Sequence, residues 1–322
     1  MKPSQIRSVL SSLIDSKTPI CLWGPSGIGK SSIIKQLALS KELEVLRFRL
    51  SLLETSDLNS LISLLPKEGK GVLLFKEVDS ASDRMQAFVS ELAIERQVGS
   101  YKLPESWNVI IQADIALHDK KSDEGSGSLT NYLIDLDMQT DISDWKDWAY
   151  SEGMDERVIA YIAFKNEALL QVQPNINEKT LISPKSWERV SEVLKSGIDE
   201  NLMVDVLSGV IGKENATSFL SFAKGVDKLP DIESILQKSQ ADYPSQTDVL
   251  YTLSSVLVSF LLKYNNEENL ENVLKYSIEL EPEFSVMIVQ ELQRGGISME
   301  TLPSFPLWVQ KFASIRAQYC QS

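Results

Sequence analysis

The sequence predicts an α/β fold, a parallel sheet with helices on both faces, followed by a region that is helical throughout. Three observations carry this. Residues 19–39 read as a short apolar strand, a glycine-bounded loop and a helix-period run. Apolar strands then alternate with helical stripes as far as about residue 140, and from Asp141 onward every apolar pattern has the helical period.

Taken in order, Ile6, Val9, Leu10, Leu13 and Ile14 form a helical stripe, and Thr18-Pro19 turns the chain into the first strand. Gly24, Gly29, Lys30 and Ser31 then fit the phosphate-loop pattern G-x-x-x-x-G-K-[ST] without a mismatch. Glycines let backbone N–H groups curl around a diphosphate, and the helix starting near Lys30 turns its positive dipole end toward the anion. Lys30 is placed to reach the β/γ-phosphates, and the Ser31 hydroxyl to ligate Mg²⁺. The competing reading, an ordinary glycine-rich turn, is disfavoured because the pattern follows a strand and opens a helix.

Leu43–Leu50 alternates and reads as a second strand; a short helix runs from Asp57 to Leu65. Residues 71–75 are wholly apolar behind a glycine, as in a strand buried on both faces. Asp83–Glu95 is helical, with Met85, Phe88, Val89 and Leu92 on one side, and Trp107–Ala113 and Leu133–Asp137 supply a fourth and a fifth strand. Residues 123–128, rich in Gly and Ser, read as the most flexible segment. Ligands of such a sheet bind at the carboxyl ends of its strands, where the phosphate loop lies.

The chain has 322 residues and a net charge of −13, unevenly spread. Residues 1–140 hold 16 Lys and Arg against 18 Asp and Glu, and residues 141–322 hold 16 against 27. An acidic helical half argues against gripping a phosphate backbone, so nucleic acid is not an expected partner; a solvated acidic surface or a basic protein partner both fit. No apolar run approaches the ~20 residues of a membrane span, and a cytoplasmic location is expected. With only Cys21, Cys320 and His118 available, no zinc-type cluster or Cys-His nucleophile pair is expected.

Several stretches together resemble the MoxR-like branch of the AAA+ ATPases: residues 24–31; the buried strand Leu73-Leu74-Phe75 with Glu77 beyond it; the hairpin-like residues 96–104 ahead of Trp107; and Ser183-Pro184-Lys185-Ser186-Trp187. The resemblance runs to about Leu262. It implies a P-loop AAA+ core with a five-stranded sheet in 5-1-4-3-2 order, spanning 1–140. An all-helical lid over 141–240 and a C-terminal helical region over 241–322 follow. It further implies ATP or ADP as ligand with Mg²⁺, assembly into a homo- or hetero-oligomeric ring, and remodelling of protein partners. The nucleotide-binding residues carried over are Gly24, Pro25, Ser26, Gly27, Ile28, Gly29, Lys30, Ser31, Ser32, Asp114 and Lys185, with Glu77 as the catalytic carboxylate and Ser31 as the metal ligand.

Residue by residue the resemblance also exposes losses. The family's Asp-Glu pair after the third strand is here Lys76-Glu77, so the carboxylate that holds Mg²⁺ through water has become a cation, and metal binding is expected to be weak or absent. The sensor asparagine is Asp114, and the arginine that enters a neighbouring subunit's site is Tyr132. No arginine lies between Arg96 and Arg157 to replace it. The lid arginine is Lys185, which keeps the charge but not the planar fork. An arginine finger contributes ~10³ to 10⁵ in rate, so binding is expected to persist while hydrolysis is slow or lost.

The competing functional readings are a slow ATP hydrolase with chaperone-like action, a non-catalytic structural or regulatory nucleotide-binding subunit, and a small-molecule kinase. The last is disfavoured by the match at residues 183–187. Lys76 and Asp114 are expected to form a compensating ion pair; alternatively Lys76 supplies the charge that Mg²⁺ would. Arg84 and Arg96 read as surface residues or as trans-acting substitutes for the finger, and Trp145 and Trp148 as helix packing rather than base stacking.

Overall fold

The computed structural model describes residues 1–114, 132–171 and 182–319. His118, Cys320 and residues 123–128 lie outside the described residues. The chain divides into two compact units, Met1–Asp141 and Ile142–Ser322.

In the first unit the described strands are β1 (Ile20–Trp23), β2 (Glu44–Arg49), β3 (Gly71–Lys76), β4 (Gln97–Val98), β5 (Tyr101–Lys102), β6 (Trp107–Ala113) and β7 (Ile134–Asp137). Five of them form one parallel sheet in the order β2-β3-β6-β1-β7, which is the expected 5-1-4-3-2 order; β4 and β5 pair antiparallel as a separate hairpin. The three inner strands are the mostly apolar runs, with every residue of β1 and β6 buried, Asn108 and Gln112 of β6 included, and only Lys76 of β3 reaching partial exposure. The outer strands β2 and β7 alternate, because only one of their faces is covered.

The helices of this unit are α1 (Pro3–Leu13), α2 (Lys30–Ser40), α3 (Leu58–Leu64) and α4 (Asp83–Glu95). Ser82 caps α4, accepting the Met85 N–H, and the buried face is Met85, Phe88, Val89, Leu92 and Ala93. At Gly71 the sheet closes most tightly: a Cβ there would lie 2.5 Å from the Glu44 carbonyl oxygen and 2.8 Å from the Trp107 ring.

The second unit is helical in its described residues, apart from an isolated bridge between Gln171 and Ile182. Its first helices are α5 (Ile142–Ser151), α6 (Glu156–Phe164), α7 (Pro184–Lys195), α8 (Glu200–Ile211) and α9 (Lys213–Ala223). After them come α10 (Ile232–Lys238), α11 (Thr247–Lys263), α12 (Glu267–Ile278), α13 (Pro282–Arg294) and α14 (Phe305–Tyr319). Two apolar clusters fill this unit, one built around Tyr161, Trp187 and Phe219 and the other around Tyr276, Phe284 and Trp308. Trp145 is buried in the first and Trp148 packs against it, which is the packing role expected of both. Glu291 on α13 is 6% exposed and accepts hydrogen bonds from Lys146 Nζ and, at 2.6 Å, from the Tyr150 hydroxyl, which ties α5 to α13. Burial, reinforced by the Glu291 charge, raises the Tyr150 hydroxyl well above its ordinary pKa. No helix among the described residues is long and apolar enough to cross a membrane.

Candidate nucleotide site at the carboxyl edge of the sheet

The loop between β1 and α2 takes its shape from three glycines in the left-handed half of backbone space, Gly24 (φ 149°), Gly27 (φ 79°) and Gly29 (φ 104°). Gly24 is also a close approach, since a Cβ there would stand 2.7 Å from the Met138 carbonyl oxygen. Gly29 is the N-cap of α2, so the first helical N–H groups open into the loop. Ile28 is buried and packs over Gly24 within the loop, Pro25 is half-buried, and Ser26 and Ser32 are exposed.

Lys30 is 8% exposed, and its ammonium donates to the carbonyl oxygens of Gly24 and Pro25, the latter at 3.0 Å, and to Asp114 Oδ1 at 3.0 Å. The expected Lys76–Asp114 pair is therefore corrected. Asp114 pairs with the loop lysine, and no ion pair joins it to Lys76. Parallel pairing sets Ala113 opposite Trp23, which brings the next residues, Asp114 and Gly24, to the same sheet edge.

Ser31 Oγ donates to Gln112 Oε1 at 2.9 Å. Gln112 is 3% exposed and its Nε2 has no partner among the described residues. Its signal in the sequence is an amide near the end of the otherwise mostly apolar β6, a strand that carries a second amide at Asn108.

Glu77 follows Lys76 at the end of β3 with left-handed backbone (φ 56°, ψ 40°), an unfavourable conformation for a residue with a Cβ. Its carboxylate accepts from Arg49 Nε at 2.8 and 2.9 Å and from the Ser51 hydroxyl. The Arg49 guanidinium, with help from Ser51 and Lys76 and against partial burial, holds the Glu77 carboxyl below its usual range. Asp79 keeps one buried oxygen, Oδ1, without a partner among the described residues, while Ser80 Oγ donates to Oδ2 at 3.3 Å.

The glycine cradle, the free first turn of α2 and the buried lysine fit a nucleotide's phosphates. The donors for a divalent cation do not: the hydroxyl at the metal-ligand position, Ser31, is already bonded to Gln112, position 76 is a lysine, and the described residues hold no group of three or more carboxylate, His or Cys ligands.

Lys185 lies in the helical unit at the start of α7, exposed and paired with Glu188 at 2.7 Å. Tyr132, 59% exposed, precedes β7. Arg84 is exposed. Arg96 is neither a free surface residue nor a trans-acting cation: its Nη2 donates to the carbonyls of Pro104 and Trp107 at 2.9 and 2.8 Å, bolting the hairpin to β6.

Residues 20–99 match the family model described as ATPase family associated with various cellular activities (AAA). No curated protein is significantly similar to the chain. Among solved structures, the chain is similar to the Thermotoga maritima RuvB Holliday junction branch migration motor at 12% identity, covering 83% of this chain and 85% of that one, with a TM-score of 0.39. A variant of the same RuvB gives 12% identity over 83% and 85% of the two chains, with a TM-score of 0.40. The P-loop NTPase domain of a sigma-54 transport activator from E. coli gives 17% identity over 41% of this chain and 93% of that one, with a TM-score of 0.30. The sheet order, the loop between β1 and α2 and the match over residues 20–99 together make the first unit an AAA-type P-loop nucleotide-binding fold.

Proposed function

We propose that the chain is a MoxR-like AAA+ protein that binds ATP or ADP in the loop from Gly24 to Ser31, hydrolyses it slowly or not at all, and uses the bound nucleotide to set its contacts with protein partners. The observation that carries this is the contrast between two ends of the same sheet edge. The loop is complete, with Lys30 seated in it, whereas Glu77, the carboxylate placed to activate water, is clamped by Arg49 and Ser51. A general base must hold its reacting water within hydrogen-bond reach with a lone pair available. Both Glu77 oxygens are already engaged, and Lys76 adds a cation where a metal-organising carboxylate is needed. In P-loop proteins Mg²⁺ neutralises charge on the β- and γ-phosphates; here it adds little to binding, since Ser31 is already bonded to Gln112 and position 76 is a lysine. The clamp equally favours the reading as a non-catalytic regulatory subunit, which keeps the ligand and drops the chemistry.

Two measurements test the proposal together. Calorimetric titration with ADP is expected to show binding by the native chain and a loss of at least about tenfold in Lys30→Ala. Steady-state phosphate release, with and without Mg²⁺, is expected far below the ~1–100 s⁻¹ of active phosphoryl-transfer enzymes. Equal ADP affinity in both proteins sinks the binding half, and fast Mg²⁺-dependent release sinks the other.

A further inference from the structure

We infer that Asp114 is a resident anion of the phosphate loop and makes the site select a nucleoside diphosphate over a triphosphate; this rests on the nucleotide-binding reading above. A lysine ammonium has three donors, and in this structure Lys30 gives one each to Gly24 O, Pro25 O and Asp114 Oδ1. The one side-chain cation of the loop is thus saturated, and its charge is balanced by a carboxylate 3.0 Å away.

Two consequences differ for the two ligands. The first two phosphates of a nucleotide are held by backbone N–H groups of the glycine loop and the first turn of α2, which Asp114 does not occupy. Lys30 reaches the β- and γ-phosphates, and a third phosphate adds further negative charge at the lysine that Asp114 already holds. It must displace the carboxylate from Lys30 and then remain near it, because Asp114 directly follows β6, whose last residue is fixed opposite Trp23 of β1. The Asp114 side chain is 45% exposed, so it can turn toward solvent, but its backbone cannot leave the edge of the loop. Two like charges held together at a half-solvated site repel appreciably. The diphosphate avoids most of this repulsion, and the triphosphate does not.

The test is a pair of calorimetric titrations of the full chain, one with ADP and one with a nonhydrolysable ATP analogue. ADP is expected to bind about tenfold more tightly, a difference of about 1.4 kcal/mol. In Asp114→Asn the ratio is expected to fall to within about threefold, through a gain for the triphosphate. Should Asp114→Asn fail to fold, by circular dichroism, Asp114→Ser serves in its place. Displacement of a fluorescent ADP from the native chain supplies an independent reading, with pyrophosphate expected to compete better than inorganic triphosphate. Equal binding of the two nucleotides by the native chain, or an unchanged ratio in the folded variants, overturns the role of Asp114 and leaves nucleotide binding standing. No binding of either nucleotide by the folded native chain overturns both.

Discussion

Arg49 Nε donates to both carboxylate oxygens of Glu77, at 2.8 and 2.9 Å, across the ends of the neighbouring strands β2 and β3. The pair sits on a strained link, because Glu77 holds a positive φ while it receives the guanidinium. Arg49 raises no charge question of its own; the proton that matters is on Glu77. Its carboxyl is held below the ordinary range in the folded chain, first by Arg49. Such a group contributes stability that is complete above the unfolded carboxyl pKa and is lost as pH falls through the folded one. Native melting temperature is therefore expected to decline below about pH 4.3, and Glu77→Gln to decline less steeply over the same window. Identical slopes in a thermal melt series would show that the clamp has no energetic weight.

Glu291 gives a larger effect. Removing a buried acceptor that serves two donors leaves Lys146, 14% exposed, and the buried Tyr150 hydroxyl without it. Glu291→Ala is expected to lower unfolding stability by about 3 kcal/mol, while Glu291→Gln, which can still accept from Tyr150, lowers it by less. Denaturant unfolding compares the two, and a difference of zero between them contradicts the account.

Gly71→Ala is expected to destabilise by about 1–3 kcal/mol through overpacking, because the added carbon meets the Glu44 carbonyl and the Trp107 ring, neither of which is the far end of a flexible chain. The readout is the denaturant midpoint at unchanged slope.

Assembly is expected to be insensitive to nucleotide. Tyr132, exposed and two residues before β7, stands where the resemblance to MoxR-like proteins puts the arginine that enters a neighbouring subunit's site, and it brings no cation to couple one subunit's ligand to the next. Sedimentation velocity with and without ATP is expected to give the same distribution; an ATP-driven shift to a hexamer refutes this.

Much of this molecule can be read from residues alone because inner parallel strands are apolar along most of their length, as in residues 71–75 and, apart from Asn108 and Gln112, 107–113, and because α4 carries its cap and stripe in plain order at Ser82 and Met85 to Leu92. The pairings at the sheet edge were not legible in the same way. Two lysines, Lys30 and Lys76, end on elements that flank β6, and strand order does not say which one a carboxylate at position 114 will meet; side-chain reach and the loop's curvature decide it in favour of Lys30. Arg49 was read as one member of an alternating edge strand, and nothing local marks it as the partner of a residue 28 positions on. Arg96 likewise disappears into two carbonyls that only the folded hairpin brings together.

Lys30 and Ser31 are consecutive, and both are moored at the end of the same strand, Ser31 to Gln112 on β6 and Lys30 to Asp114 just beyond it. A glycine-rich loop ordinarily surrenders much conformational freedom when it closes around a ligand. Here the tethers at its helical end remove part of that freedom during folding, so the cradle meets an incoming phosphate already shaped. Preorganisation of this kind lowers the entropic cost of capture and leaves the exchange of one anion for another, Asp114 for phosphate, as the main event that the ligand must drive.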